Sequence, residues 1–176
     1  MALKGDRYEG VTDISFFMDS TATRGGVVCI STGGSGVALD QSAALVAYSS
    51  NPSGNVPLGL LLNDMVDIDQ TRQHINFHKN EVQKGGKVTL LKQGWVVTSN
   101  IHAGTSSTCS AGDIAFLTSS GNLTADADIA AASRGDAACP AVGRFLSSVD
   151  EDGYAKVEIQ LPTNMGRASF DDVVGD

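Results

Sequence analysis

Four short segments in which apolar and polar residues alternate are the feature that most constrains the fold of this chain. They lie at 87–91, 95–101, 142–149 and 154–161, and glycines separate them. Each segment has the length of a β-strand and ends at residues that favour turns. Alternation with a period of two places one side of a strand on a core and the other in solvent. The pattern therefore predicts a β-sheet across residues 85–161.

The composition favours an all-β protein. The chain has 20 glycines among its 176 residues and an aromatic content of 6%. Such a composition suits many turns and short strands rather than long helices. A chain of this length also suits one domain with one core. We predict a small β-barrel with at most one or two short helices.

The charge of the chain bears on its partners. Its formal net charge is −8, and its isoelectric point is near 4.7. An acidic protein cannot gain affinity by releasing counterions from phosphates, which argues against direct binding of nucleic acid. The chain has no apolar run long enough to span a membrane, and its amino terminus lacks the signal-peptide pattern. We expect no membrane partner and synthesis in the cytosol.

The sequence divides into three parts. We predict an amino-terminal arm at 1–24, one β-barrel domain at 25–161 and a carboxy-terminal tail at 162–176. Two alternatives are open for the arm: it contacts another chain, by strand addition or by docking into a groove, or it folds back on its own barrel. The arm is too apolar for a plain disordered tail, and its candidate contact residues are Tyr8, Val11, Ile14, Phe16 and Phe17.

The barrel segment contains further strand signals. The nearly continuous apolar run at 56–62 is typical of a strand buried on both faces. Gly94 falls between two strand segments and predicts a bulge. Gly153 predicts a tight turn that joins the last two strands as a hairpin. Shorter strands are expected at 25–30, 37–39 and 43–48.

The stretch at 69–79 can form a short helix or an extended arm. In a helix, His74 and His78 would share one face, because they lie four residues apart. Two histidines with no third ligand fall short of a metal site, so we predict neither a metal nor a cofactor. We expect His74, Phe77 and His78 to contact a neighbouring subunit or a partner surface.

Other short motifs lack the residues that their chemistry needs. The glycine-rich turn at 31–36 is not followed by the Gly-Lys-Ser/Thr of a phosphate loop, and the acidic stretch at 64–69 does not match a calcium loop. The Arg134-Gly135-Asp136 tripeptide falls in an alanine- and aspartate-rich segment, 125–138, which we interpret as a solvated loop. Three cysteines at long spacing indicate neither disulfides nor a zinc site: Cys29, Cys109 and Cys139.

The order of the strand and turn segments resembles a known family. The segments are Lys87-Val-Thr-Leu-Leu-Lys-Gln-Gly-Trp-Val-Val, Ala111-Gly-Asp-Ile-Ala-Phe-Leu, Gly121-Asn-Leu-Thr, Ala141-Val-Gly-Arg-Phe-Leu and Tyr154-Ala-Lys-Val-Glu-Ile-Gln-Leu. This succession is similar to that of the small head decoration, or cement, proteins of tailed bacteriophages, and it covers roughly residues 54–161. The resemblance implies a β-barrel or β-tulip-like fold and a structural role without catalysis.

The resemblance also implies the partners and the location of the chain. A decoration protein binds the outer surface of the expanded capsid and stabilises it. The implied partners are the major capsid protein of the same phage and copies of the chain itself, as a homotrimer. Tyr8 to Met18 is the leading candidate segment for the capsid contact. As an expectation, a chain without residues 2–18 should fold and fail to bind phage heads.

Two other functions stay open on the sequence. A β-rich adhesion or head-fibre module would bind a host glycan or receptor, and it would need exposed aromatic side chains. Trp95 stands in a core-like alternation, which weakens that interpretation. A hydrolase is the weakest alternative, because no serine lies in a nucleophile elbow and no pair of carboxylates is arranged for acid–base catalysis. We therefore predict that the chain is not an enzyme.

Overall fold

The computed structural model describes residues 3–32, 44–48, 56–64, 81–104, 109–118, 120–133 and 140–161. These residues form short strands and one short helix, which confirms the all-β class. In chain order the elements are β1 (Leu3–Asp13), β2 (Phe17–Met18), β3 (Ala22–Thr23), β4 (Val27–Thr32), β5 (Leu45–Ala47), β6 (Pro57–Asp64), β7 (Glu81–Val82), β8 (Val88–Thr98), β9 (Ile114–Leu117), β10 (Leu123–Thr124), α1 (Ala127–Ser133), β11 (Ala141–Phe145) and β12 (Ala155–Gln160).

Most of the strands belong to one sheet. Its order is β10-β9-β11-β12-β8-β6-β4-β5-β2, with β1 paired to β8 beside this path, while β3 and β7 pair separately. The β2–β5 pair is parallel and the others are antiparallel, so the sheet is mixed. Within the described residues, strand pairing does not close the sheet into a barrel. The backbone N–H of Val27 donates to the carbonyl of Gly121 at 2.9 Å, which links β4 to the turn before β10.

The long strand β8 joins the two parts of the sheet. Its first half pairs with β6, from Val88 to Leu91, and its second half pairs with β12, from Gln93 to Thr98. The predicted segments 87–91 and 95–101 are thus largely one strand. The register between β1 and β8 shifts twice at their middle, once at Gly10 in β1 and once at Lys92 in β8.

The bulge predicted at Gly94 lies two residues earlier, at Lys92, and Gly94 itself pairs with Glu9 of β1. Its φ is +148°, and a Cβ atom there would lie 2.0 Å from the carbonyl oxygen of Tyr8. Real side chains cannot approach a backbone oxygen so closely. Glycine therefore allows the backbone of β1 to approach β8 this closely at this position.

Two hydrophobic cores lie on opposite faces of the central strands. In β6, Leu60 and Leu62 belong to the main core and Leu61 to the second core. All three are fully buried, which confirms a strand covered on both faces at 60–62, whereas Val56, the first residue of the predicted run, is exposed. The main core is completed by Leu3 of β1 and by residues of β4, β8, β9, β10, β11 and β12, and the second by Met18, Val28, Val46, Val82, Val88 and Leu90.

Two local predictions have different outcomes. The hairpin between β11 and β12 is confirmed: Gly153 has a φ of +82°, and Asp150 Oδ1 accepts hydrogen bonds from the backbone N–H groups of Asp152 and Tyr154. The solvated loop at 125–138 is wrong in part, because residues 127–133 form α1. Asp126 Oδ1 caps this helix by accepting from the N–H groups of Asp128 and Ile129 at 2.8 and 3.2 Å.

Several predictions lie outside the described residues. They are the strand at 37–39, the helix or arm at 69–79 with His74, Phe77 and His78, the tripeptide Arg134-Gly135-Asp136, the thiol of Cys139 and the tail at 162–176.

Candidate partner-binding surface

The first strand lies on the domain rather than apart from it. β1 pairs with β8 from Leu3↔Thr98 to Asp13↔Leu90, and it pairs with no other strand among the described residues. Leu3 is buried in the main core, whereas residues 5–12 are exposed. Of the two alternatives for segment 1–24, the structure shows β1 folded back on its own chain. Among the strands that the structure describes, β1 is therefore an edge strand, and no described strand pairs with its outer backbone groups.

The five candidate contact residues of this segment fall into two groups. Tyr8, Val11 and Ile14 are 59%, 46% and 42% exposed, and we call these three residues the β1 patch. Phe17 is buried, and Phe16 packs against the second core. The two phenylalanines therefore stabilise this chain, and the exposed apolar surface of the segment is the β1 patch.

An aromatic pair extends the β1 patch across the sheet. Tyr8 lies directly opposite Trp95 of β8, so their side chains share one face. Trp95 is half-buried, and the Lys156 ammonium lies 3.4 Å from the centroid of its indole ring. That distance is short enough for a cation–π contact. The prediction that Trp95 belongs to the core is wrong, because Val96, the next residue, fills the core instead.

Ion pairs hold β1 on the domain near both of its ends. Lys4 Nζ lies 2.9 Å from Asp150 Oδ2 and 4.2 Å from the ring centroid of Tyr154. Asp13 Oδ2 lies 2.6 Å from Lys92 Nζ of β8. The hydrogen bond between Lys4 and Asp150 raises the pKa of Lys4 and lowers that of Asp150. This bond favours the charged form of both Lys4 and Asp150.

Opposing effects act on the pKa of the Asp13 carboxylate. Desolvation raises its pKa, but hydrogen bonds from Lys92 and from the hydroxyl and backbone N–H of Ser15 outweigh that effect, so its pKa lies below the ordinary value of 3.8.

In the middle of the strand, Arg7 Nε lies 2.6 Å from Glu9 Oε1, which puts both side chains on one face. Tyr8, between them, points to the other face.

The described residues contain no group of side chains that could hold a metal ion. No set of three or more histidines, cysteines and acids comes together in the parts of the chain that the structure describes. His102 Nδ1 accepts a hydrogen bond from the N–H of Gly104. Burial, followed by the charge of Asp113, raises the pKa of Cys109 to about 11, so this thiol is protonated at neutral pH.

Comparisons with known proteins give no family for this chain. No family model matches it, and no curated protein matches it. Among the described helices, none has the length and apolar character needed to cross a membrane.

The surface contains residues that sequence reasoning missed. Trp95 and Lys156 are not candidates from the sequence, because the apolar run at 95–97 does not reveal which face is outward, and the alternation at 154–161 places Lys156 outward without indicating its partner. The signal for this surface is the cross-strand pairing of Tyr8 with Trp95. That register is set by the folded sheet and cannot be read from the local sequence pattern.

Proposed function

We propose that this chain is a structural virion protein that binds the outer surface of the expanded capsid of a tailed bacteriophage and stabilises it without catalysis. The observation that supports the proposal most is the arrangement of the segments that carry the resemblance. They supply β8, β9, β10, β11 and β12, which lie side by side in the order β10-β9-β11-β12-β8. The resemblance thus maps onto one continuous half of the sheet and not onto scattered segments.

The β1 patch is the proposed contact with the major capsid protein. Tyr8, Val11 and Ile14 are exposed apolar side chains on a segment whose flanking residues are mostly polar or charged. Burying an apolar side chain of this size contributes roughly 1.5–3 kcal/mol when it is fully removed from water. Repetition of such a modest contact at every lattice position stabilises a whole shell. No cofactor or reaction is needed for this role.

Binding to heads that lack decoration protein tests the proposal. Purified protein is mixed with expanded heads, the heads are pelleted, and bound copies are counted. We expect saturable binding at a copy number that matches the lattice positions, and heads that then resist heat better. The absence of binding to expanded heads would contradict the proposal.

Point substitutions in the β1 patch locate the contact. V11D introduces a charge into the proposed interface, and we expect it to abolish most of the binding. V56D is the matched control, because Val56 is equally apolar, 52% exposed and outside the β1 patch. If V56D weakens binding as strongly as V11D, the contact does not lie on the β1 patch.

These substitutions are sharper than removal of residues 2–18. Leu3 is part of the main core and Met18 is part of the second core, so the deletion would remove buried apolar side chains. Loss of head binding by such a chain would also follow from partial unfolding.

The aromatic pair favours one alternative function. Tyr8 is exposed next to the half-buried Trp95, and aromatic side chains at a surface are typical of glycan-binding sites. In that case the chain is an adhesion or head-fibre module. Binding to immobilised host glycans that W95A abolishes, together with no binding to heads, would favour the adhesion module over the decoration protein.

A further inference from the structure

The free edge of β1 has a length that only one described strand can match. β1 has eleven residues and pairs along one side with β8. The other strands with only one described partner, β2, β10, β3 and β7, have two residues each. Among the strands that the structure describes, a second copy of this chain can therefore cover the β1 edge fully only with its own β1.

The charges of β1 are complementary to themselves in a register centred on Tyr8. In an antiparallel pair related by a two-fold axis at Tyr8, Tyr8 lies opposite its copy and Arg7 lies opposite Glu9 of the other chain. Both interchain pairs then join opposite charges, and the two arginines and two glutamates alternate on one face. From Lys4 to Thr12 this register places no like charges opposite each other.

The neighbouring registers are unfavourable. An axis at Asp6, Arg7 or Glu9 would place that charged residue opposite its own copy, and like charges directly opposite each other destabilise a sheet. The backbone also suits the register at Tyr8. Residues Arg7 to Glu9 pair regularly with Val96 to Gly94 of β8, between the two irregular stretches of β1.

We propose that two copies of the free protein associate through the edges of their β1 strands, antiparallel and centred on Tyr8, to form one continuous sheet across a two-fold dimer. The interface is isologous, since each chain contributes the same edge. Strand addition of this kind obtains affinity from backbone hydrogen bonds and specificity from the flanking side chains. The side chains of Tyr8 and Val11 stay on the sheet face, so the dimer presents two β1 patches to a partner.

This association does not rest on the proposed capsid function. It concerns the protein free in solution, and it competes with the three-fold ring that the family resemblance implies. A ring of three uses a heterologous interface, whereas β1 pairing is two-fold and closes with two chains.

Mass measurement tests the association directly. Light scattering or sedimentation across a dilution series should give twice the chain mass of 18.2 kDa at high concentration and a shift toward the single chain on dilution. A single-chain mass throughout, or a mass of three chains, would overturn the proposal.

Charge substitutions identify the edge and the register. R7E and E9R each place like charges opposite each other, and we expect each to raise the dimer dissociation constant by about tenfold or more. Mixing the two variants should restore dimers, since one chain then has two acids and the other two arginines at positions 7 and 9. K84E changes the net charge as R7E does, at an exposed turn away from β1, and it should dimerise as the original chain does.

Circular dichroism confirms that each variant is folded, because Arg7 and Glu9 are surface residues. A dimer that R7E leaves intact, or mixed variants that stay monomeric, would show that the chains do not associate by this register.

Discussion

Strands β1 and β6 both pair antiparallel with β8, yet their surroundings differ completely. Leu60, Leu61 and Leu62 of β6 are fully buried between the two cores, whereas most of β1 is exposed. On its other side β6 pairs with β4, whereas β1 has no second partner among the described strands. The same backbone pairing therefore supports a strand that stabilises the domain and a strand that presents a surface.

The comparison shows that burial, and not strand pairing, determines where stability resides. Backbone hydrogen bonds contribute modestly to stability because water replaces them in the unfolded chain. The apolar area that β6 removes from water has no counterpart in the middle of β1. β1 can thus carry exposed apolar and charged side chains without lowering the stability that the two cores supply.

Truncating one side chain in each strand should give the largest contrast. L61A leaves a cavity in the second core, and we expect it to lower the free energy of unfolding by about 2–5 kcal/mol. Y8A removes an exposed ring and should change the free energy by no more than about 0.5 kcal/mol. Urea unfolding of both variants measures the difference. Similar losses in the two variants would show that β1 stabilises the domain as β6 does.

Gly94 allows the contact between β1 and β8 to be weakened selectively. G94A brings a Cβ atom against the carbonyl of Tyr8, and we expect it to cost about 2–3 kcal/mol while releasing β1. Amides of β1 should then lose protection from hydrogen exchange, and amides of β6 should keep it. G112A is the control: Gly112 also has a positive φ, +103°, but apart from its chain neighbours no described residue lies within 4 Å of its added Cβ. Equal loss of protection in β1 and β6 of G94A would mean that the two strands open as one unit.

Much of the sheet could be predicted from the sequence because its pattern is local. The alternation at 154–161 places Ala155, Val157 and Ile159 in the core, as observed, and the glycine turn before it forms a hairpin. The continuous apolar run of β6 likewise indicates a strand with two buried faces. Such features depend on the period of the residues and not on distant partners.

The inner and outer faces of β8 could not be predicted, because an irregularity reverses them. Leu91 and Val96 both belong to the main core although they lie five residues apart, an odd separation that regular alternation assigns to opposite faces. The register shift at Lys92 accounts for this reversal. The sequence signals a bulge through Gly94 but does not give the position of the extra residue. Trp95 was therefore assigned to the core and lies outside it.

The candidate contact surface was predictable only in part. Apolar residues in a charged arm indicate a contact, and the sequence predicts this for Tyr8, Val11 and Ile14 as well as for Phe16 and Phe17. The phenylalanines differ from the others through tertiary packing: Phe17 pairs with Leu45 of β5, which is distant in sequence. Residue type alone could not separate the exposed residues from the buried ones.

The Asp13–Lys92 ion pair should give the smallest effect, and one that depends on pH. Because the folded protein lowers the pKa of Asp13 below 3.8, the pair stabilises the β1–β8 contact above that pH, and the contribution is lost as the pH falls through the lowered value. A half-exposed pair of this kind contributes at most about 1 kcal/mol. Protection of β1 amides, corrected for intrinsic exchange, should therefore decrease in acid more than that of β6 amides.

D13N removes the charge and keeps an oxygen that can accept from the N–H of Ser15. We expect D13N to weaken β1 protection slightly at neutral pH and to remove the Asp13 contribution to its acid dependence. D150N is the control, because Asp150 pairs with Lys4 at the other end of β1 and is exposed to solvent. If D13N retains the full acid dependence and D150N does not, the acid-sensitive attachment of β1 is at Lys4 and not at Asp13. If both retain it, backbone pairing with β8 holds the strand without help from its charges, and the contrast between β1 and β6 is one of burial alone.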